Sequence, residues 1–271
     1  SNQQMIKFDR FTLENGLTVI VHEDQTTPLV ALNILYKVGA RDEDEARTGF
    51  AHLFEHLMFG GSVNIPNYDE PLQIAGGENN AFTNNDITNY YLTIPSQNLE
   101  TAFWLESDRM LSLAFTEKSL EVQRSVVIEE FKQRYLNQPY GDVWLELRPL
   151  AFKVHPYRWA TIGKEISHIE EATLEDVKAF FKKWYAPNNA ILTIAGNCTT
   201  STAKALCEKW FAPIPAANIP ARNLPAEPKQ TERRELELHR EVPNSHIYMT
   251  WHCGSRTDTD FYATDLLSDI L

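Results

Sequence analysis

The sequence predicts an α+β fold, a mostly antiparallel sheet with helices packed on one face. Three observations predict it. An Asn15-Gly16 turn joins two short alternating segments at the start. Strand-like runs and amphipathic helical runs then interleave. A proline-rich stretch follows, after which the opening pattern returns. Of the 271 residues, 43% are hydrophobic and 23% charged, which gives enough apolar mass for a core and too little charge for global disorder.

Residues 11–14 and 17–22 alternate apolar and polar around Asn15-Gly16. Asn-Gly is the strongest short hairpin signal, because both turn residues must reach positive φ. An apolar run over 29–38 is the next strand. The acidic stretch Asp42-Glu43-Asp44-Glu45 reads as a solvated loop. A helix over 48–59 is stopped by Gly60-Gly61. A strand over 87–94 puts Tyr90 and Tyr91 on opposite faces, so one belongs in the core. Helices over Leu99–Leu111 and 119–135 come next. A helix over Leu174–Trp184, a strand over 190–195 and a helix over 202–211 complete this part.

Pro213, Pro215, Pro220, Pro225 and Pro228 place five of the chain's 14 prolines in one short stretch. Such a segment continues neither a helix nor a central strand, so residues 213–230 read as an extended linker. It separates a first domain over residues 1–212 from a segment over 231–271. That segment repeats the opening. Pro28 and Pro243, Gly39 and Gly254, and Arg41 and Arg256 are each 215 positions apart. In both copies a strand precedes the proline (17–21 and 234–239) and another follows it (29–38 and 246–251). A Gly-x-Arg turn then leads through acidic residues into a helix. The constant offset predicts a duplicated unit of about 215 residues, with one complete copy here and the opening of a second. Two copies make an intact protein of about 430 residues.

The formal net charge of −12, from 25 Lys and Arg against 37 Asp and Glu, argues against a general nucleic-acid binder and against a surface built for anionic lipid. No apolar run approaches the ~18 residues of a membrane span, and residues 1–5 carry no apolar signal core. Cys198, Cys207 and Cys253 have neither disulfide nor zinc spacing and read as buried or half-buried thiols.

The strongest local signal is His52-Leu53-Phe54-Glu55-His56. At ~100° per residue, His52, Glu55 and His56 fall within about 100° of one another, and Phe50, Leu53, Phe54, Leu57 and Met58 fall opposite. The helix thus has a chemical face and an apolar face. Two imidazoles one turn apart suit zinc, which takes imidazole nitrogen and carboxylate oxygen and keeps one position open in catalytic sites. A third ligand is needed. On the helix over 119–135, Leu120, Val127, Phe131 and Tyr135 form the apolar stripe. Glu130 lies beside it, and Glu129 lies on the polar side. A carboxylate next to a core face is costly unless paired or ligated, so the pattern selects Glu130 and leaves Glu129 as a solvated charge. Two alternatives stand beside this reading: a helix that turns its His and Glu to solvent, and a Glu130 that pairs with a nearby arginine. His22, His155, His168, His239, His246 and His252 have no ligand spacing and read as surface or hydrogen-bonded residues.

His52-x-x-Glu55-His56, followed 74 residues later by Glu130, resembles the pitrilysin/insulinase family of inverzincin zinc metallopeptidases, which includes mitochondrial processing peptidase and bacterial zinc peptidases. Gly76-Gly77-Glu78-Asn79-Asn80-Ala81-Phe82-Thr83 is similar to the family's Gly-x-x-Asn-Ala-x-Thr segment, and Asp86-Ile87-Thr88-Asn89-Tyr90 continues that pattern. His155-Pro156-Tyr157 with Ile162-Gly163 extends the likeness. So does Tyr185-Ala186-Pro187-Asn188-Asn189 before the strand to Gly196-Asn197, and the match runs over nearly the whole chain.

The resemblance implies two similar α+β halves, joined by a linker and closed like a clamshell, of which only the first carries zinc. The 215-residue offset sets Leu267, Ile270 and Leu271 against His52, Glu55 and His56, so the second copy has apolar residues there. Carried over by position, His52, His56 and Glu130 bind one zinc ion per chain and Glu55 is the general base. Asn80 and Ala81 match the edge-strand positions that pair with substrate backbone. The family has a supporting glutamate seven residues before the ligand glutamate. Here that position is Gln123, which orients a neighbour but carries no charge. The implied activity is a zinc metalloendopeptidase acting on peptides or extended, unfolded segments. The family's substrate-holding Arg and Tyr of the second half lie beyond Leu271, so a second half-domain or a partner subunit is expected to close the site. This stretch alone is then expected to bind zinc and to be weakly active or inactive. A soluble protein of the bacterial cytoplasm or periplasm is the expectation. Two other readings are a non-catalytic binding or assembly subunit, which in this family usually lacks the metal residues, and a structural zinc site, which normally closes with four protein ligands.

Overall fold

Alternation at the start of the chain produces a hairpin of Asp9–Thr12 (β1) and Thr18–Glu23 (β2), paired antiparallel from Asp9↔Val21 to Thr12↔Thr18. The structure is a computed structural model and describes residues 5–271; the polar start at residues 1–4 lies outside them. The hairpin turn differs from the two-residue form that Asn-Gly favours. Of the pair, only Gly16 takes positive φ, at 89°, and Leu13 closes the loop on Leu17. Asn15 holds the turn with its amide oxygen, which accepts from Leu17 N at 3.2 Å, and donates its amide nitrogen to the carbonyls of Phe211 and Ile214 at 2.8 and 2.9 Å. Tertiary partners for a polar side chain override the local turn preference.

The remaining elements follow in order: Leu29–Tyr36 (β3), Phe50–Met58 (α1), Asp69–Ile74 (α2), Glu78–Thr83 (β4), Thr88–Pro95 (β5), Leu99–Leu111 (α3), Glu117–Phe131 (α4), Val143–Ala151 (α5), Ile166–Glu170 (α6), Leu174–Trp184 (α7), Ala190–Gly196 (β6), Thr200–Trp210 (α8) and Phe261–Ile270 (α9). The six strands form one sheet in the order β1-β2-β6-β3-β5-β4. Only the β2–β6 pairing is parallel. Val19, Val21, Leu32, Ile34, Leu92 and Ile194 are buried on one face, while Ala31, Tyr91 and Thr93 on the other are exposed. This period-2 pattern is that of an α+β sheet with helices on a single face. Tyr90 is the buried member of the tyrosine pair. β4 is one of the two edge strands, so among the described residues one side of its backbone has no ladder partner.

α1 begins after Gly49, which takes φ 86°; a Cβ there would meet the Ile162 carbonyl oxygen at 2.9 Å. Its buried residues are Phe50, Ala51, Leu53, Phe54, Leu57 and Met58, the apolar face expected from the sequence. The Phe54 ring lies 4.9–6.1 Å from the rings of Phe115, Phe180, Phe181 and Tyr185, which fixes α1 against α7. α4 starts two residues earlier than expected, where Thr116 accepts from Ser119 N at 3.0 Å in a capping box, and passes after Phe131 into a π turn over Lys132–Leu136. α2, α5 and α6 were not anticipated: α2 and α6, with six and five residues, are too short to develop a periodic signal, and α5 contains Pro149.

Two expectations are corrected. The acidic stretch is only partly a solvated loop: Asp44 and Glu45 are exposed, but Asp42 and Glu43 are not. Asp42 is paired with Arg222 at 2.7 Å and Glu43 is buried. Glu45 meets Arg158 and Lys164. The segment carries the chain into α1, where Glu43 meets buried donors, while Asp44 and Glu45 stay exposed. The expected strands over 234–239 and 246–251 are also absent, and both segments are exposed or half-exposed without a ladder. A strand exists by pairing, and all six places in the sheet are taken by residues before 197. Cys198 and Cys207 are buried as expected; Cys253 is exposed because its segment joins no sheet. Residues 213–230 carry neither helix nor strand. They are nevertheless pinned, since Glu227 accepts from the backbone N–H groups of Lys153, Val154 and His155 at 2.6, 2.8 and 2.7 Å. Among the described residues no helix is long and apolar enough to cross a membrane.

Candidate metal centre

α1 and α4 pack together, and their polar faces meet. His52 Nε2 and His56 Nε2 are 3.3 Å apart. Glu130 Oε2 lies 3.5 Å from the first and 3.4 Å from the second. A tetrahedral ion about 2.0–2.1 Å from each ligand atom would separate those atoms by roughly 3.3–3.4 Å. The three side chains thus form one triangular face of a tetrahedron of zinc dimensions, with the fourth vertex left to solvent or substrate. Among the described residues this is the only group of three His, Cys, Asp or Glu side chains so arranged.

Burial lowers the His52 imidazole from 6.5 to about 4, which favours the neutral ring that a metal ligand requires. Its Nδ1 is buried without a hydrogen-bond partner. The hydrogen bond from His56 holds the Glu130 carboxyl below its ordinary value, against burial. Glu130 does meet an arginine, but on its other oxygen: Arg134 Nη1 lies 3.0 Å from Oε1, while Oε2 faces the imidazoles. Glu129 is exposed and pairs with Lys132 at 3.2 Å. The alternative of His52, Glu55 and His56 turned to solvent does not occur, because all three are half-buried.

Glu55 lies between the two histidines in sequence and accepts a hydrogen bond from the Thr83 hydroxyl at the end of β4. Thr83 was not singled out in the sequence, although it stands in the Gly-x-x-Asn-Ala-x-Thr segment. Asn80 and Ala81 lie on β4, the sheet edge, where Asn80 Oδ1 accepts from Ala81 N at 2.8 Å. Gln123 is half-buried on α4, about two turns before Glu130. No side-chain hydrogen bond of Gln123 is found among the described residues, so nothing ties it to the centre.

Two further residues escaped the sequence reading. Glu43 Oε1 and Oε2 accept from Gly49 N at 3.0 Å and Ala51 N at 2.8 Å, at the start of α1, and Trp159 Nε1 donates to Oε1 at 3.2 Å. Burial pushes the Glu43 carboxyl up to about 8, while those three donors pull it down. Arg109, fully buried on α3, donates to the Met58 carbonyl at 3.3 Å at the end of α1 and doubly to Glu106 at 2.6 and 2.8 Å. Burial works against its charge, but Glu106 more than offsets this and the guanidinium stays protonated. The signal for Arg109 was a charged residue at core spacing within α3. Glu43 was hidden in an acidic run whose bland reading is usually right.

A helix-borne His-x-x-Glu-His, completed by a glutamate from a neighbouring helix beside an open sheet edge, is the constellation of the inverzincin class. The family model described as Insulinase (Peptidase family M16) matches residues 18–152, and that described as Peptidase M16 inactive domain matches residues 171–271. The chain belongs to the insulinase family, peptidase family M16. It is 32% identical over 271 residues to the zinc protease PqqE of Helicobacter pylori, covering 98% of this chain and 61% of that protein. It is 27% identical to the beta subunit of the Saccharomyces cerevisiae mitochondrial-processing peptidase, over 75% of this chain and 44% of that one. A crystal structure of a protease from Helicobacter pylori superposes with a TM-score of 0.79 at 33% identity, over 85% of this chain and 56% of that one. The first half of the periplasmic protease PqqL from Escherichia coli shares the fold, with a TM-score of 0.72 at 23% identity, over 83% of this chain and 50% of that one. The chain therefore spans about half the length of most curated relatives it matches, and 61% of the Helicobacter protein.

Proposed function

We propose that this chain is the zinc-carrying half of a metalloendopeptidase that hydrolyses peptides or extended, unfolded polypeptide segments. The observation that carries the reading is the near-equilateral triangle of His52 Nε2, His56 Nε2 and Glu130 Oε2, with edges of 3.3, 3.5 and 3.4 Å, on the helix that also bears Glu55. These three would hold one zinc ion, which when bound acidifies water and polarises a carbonyl. Glu55 takes the proton of the attacking water and later gives it to the leaving amine. Thr83 holds one Glu55 oxygen and leaves the other free for that proton. Asn80 and Ala81 receive the substrate as a strand added to β4, so recognition reads main chain first. The Asn80 amide, folded over the Ala81 N–H, swings aside when that strand arrives. Gln123 has at most an uncharged supporting role.

The same reading divides the chain into a metal-binding domain over 1–212, a linker over 213–230 and the opening of a second, metal-free repeat over 231–271. A second half-domain or a partner subunit closes the site. The compartment stays the expected bacterial cytoplasm or periplasm; the Escherichia coli neighbour is named a periplasmic protease, and at 23% identity it shares the fold alone. In the full-length protein, metal analysis should find one zinc per chain. Glu55→Gln should keep the metal and lose about 10²-fold or more in cleavage of an unstructured peptide. Unchanged cleavage in that variant refutes the mechanism. A non-catalytic assembly subunit is the second reading, favoured for residues 171–271 by the inactive-domain description of the family model matched there. Metal-free protein that still joined its partner and cleaved nothing after zinc addition would establish it.

A further inference from the structure

α1 is short, and its nine residues carry both histidines and Glu55. A helix of that length is marginal by itself, so its position depends on what grips it. Packing of Phe54 and its neighbours holds the apolar face. The two ends are a separate matter, because a helix leaves four N–H groups and four carbonyls without internal partners. The usual side-chain cap at the start is impossible here: the N-cap is Gly49 and no side chain at that position accepts a bond. Glu43, from the loop before the helix, takes that place with one oxygen on Gly49 N and the other on Ala51 N, the residue immediately before His52. Trp159 steadies the carboxylate from outside, and also bonds Ala40 at 3.0 Å. At the far end the buried Arg109 reaches the Met58 carbonyl, two residues past His56, while Glu106 neutralises and orients the guanidinium. The rings of Tyr68, Tyr90 and Phe59 surround it, with its carbon 4.0, 4.8 and 5.4 Å from their centroids.

We infer that Glu43 and Arg109 are positioning residues that clamp the metal helix at both ends and so set the affinity of the His52–His56–Glu130 site for zinc. The physical reason is the tolerance of the site. Its three ligand atoms already stand at 3.3–3.5 Å from one another. Glu130 comes from α4, a separate helix, so sliding or rotating α1 by about 1 Å changes two of those three edges at once and takes zinc–ligand distances outside their ±0.2 Å range. A buried acceptor at one end and a buried donor at the other oppose that movement in both directions along the axis. Neither residue touches the ligand atoms, so both act through the helix backbone.

The inference rests on the reading that these three residues hold zinc, and the test separates the two. Zinc affinity of the 271-residue chain is measured by competition with a chromophoric chelator, alongside near-UV circular dichroism and Tm. Glu43→Ala should weaken zinc binding about tenfold or more, as loss of outer-shell partners does at metal sites. Glu43→Gln, which keeps one carbonyl acceptor, should lose less, and Arg109→Lys should weaken binding while keeping the charge. Val21→Ala, buried in β2 away from α1, is the control: it should lower Tm and leave zinc affinity within about twofold. If Glu43→Ala does not fold, Glu43→Gln and Arg109→Lys carry the comparison. Wild-type affinity in the folded clamp variants overturns the inference. So does an affinity that falls in step with Tm in every variant, Val21→Ala included. Wild-type protein that binds no zinc instead overturns the metal reading beneath it.

Discussion

Replacing Glu130 by Gln tests the geometry most directly, because its neighbour Glu129 is a built-in control one residue away. Glu130 Oε2 is almost equidistant from the two imidazole nitrogens, at 3.5 and 3.4 Å, whereas Glu129 is exposed and meets only Lys132. Zinc sites with four protein ligands bind with about 10–16 kcal/mol, so one ligand's share is roughly 3 kcal/mol, or about two orders of magnitude in Kd. Glu130→Gln should therefore raise the zinc Kd about 100-fold, and Glu129→Gln should leave it within about twofold. Thermal melts give a second reading. At a free zinc concentration about 1,000 times the wild-type Kd, binding stabilises the fold by about 4 kcal/mol. The same concentration is only about ten times the variant's Kd and gives about 1.4 kcal/mol, so roughly two-thirds of the zinc-induced gain disappears. Wild-type affinity in Glu130→Gln, or equal losses in the two variants, would show that the carboxylate on the core side of α4 is not a ligand.

Two further expectations concern stability. Phe54→Ala removes a fully buried ring from contact with four aromatic neighbours. It should cost about 3–5 kcal/mol and lower Tm by roughly 10 °C, and a change below about 2 °C by calorimetry would mean that α1 is not seated as described. His52 gives a pH dependence in metal-free protein. Burial lowers its imidazole from 6.5 to about 4, so between those values the unfolded chain takes up a proton that the folded chain refuses. Stability from this group is therefore lost as pH falls from about 6.5 toward about 4, by up to about 3 kcal/mol. Urea melts at pH 7 and pH 4.5 should show a steeper loss in wild type than in His52→Gln, and parallel losses would refute the assignment.

The parts that were legible in the sequence are those in which neighbours along the chain are also neighbours in space. The period of α1 placed His52, Glu55 and His56 on one face and Phe54 on the other, as observed. The alternation in β2 agrees with its buried Val19 and Val21, and one of Tyr90 and Tyr91 lies in the core as expected. Glu130 was chosen over Glu129 by its place beside an apolar stripe, and the two do lie in different surroundings. Other features were not legible because their partners are remote. Asn15 donates its amide N–H groups to residues about 200 positions away, while its amide oxygen accepts from Leu17 N within the turn. Glu43 lies in a run of charges that reads as solvent-facing, until the fold lays residues 155–165 across it. The 215-residue offset was visible as a pattern, yet the strands expected from it over 234–239 and 246–251 do not form without places in a sheet.

By itself, then, the sequence determined the polar face of α1: a spacing of three and four residues sets the relative angle of three side chains once the backbone is helical, and no other part of the molecule is needed for that. Only the tertiary structure decided that Glu130 closes the triangle, that Thr83 holds Glu55, and that Glu43 and Arg109 grip the ends of α1. Those distances join residues 6 to 78 positions apart. Helical periodicity reaches only the next turn or two; beyond that, position is set by which apolar faces pack against each other.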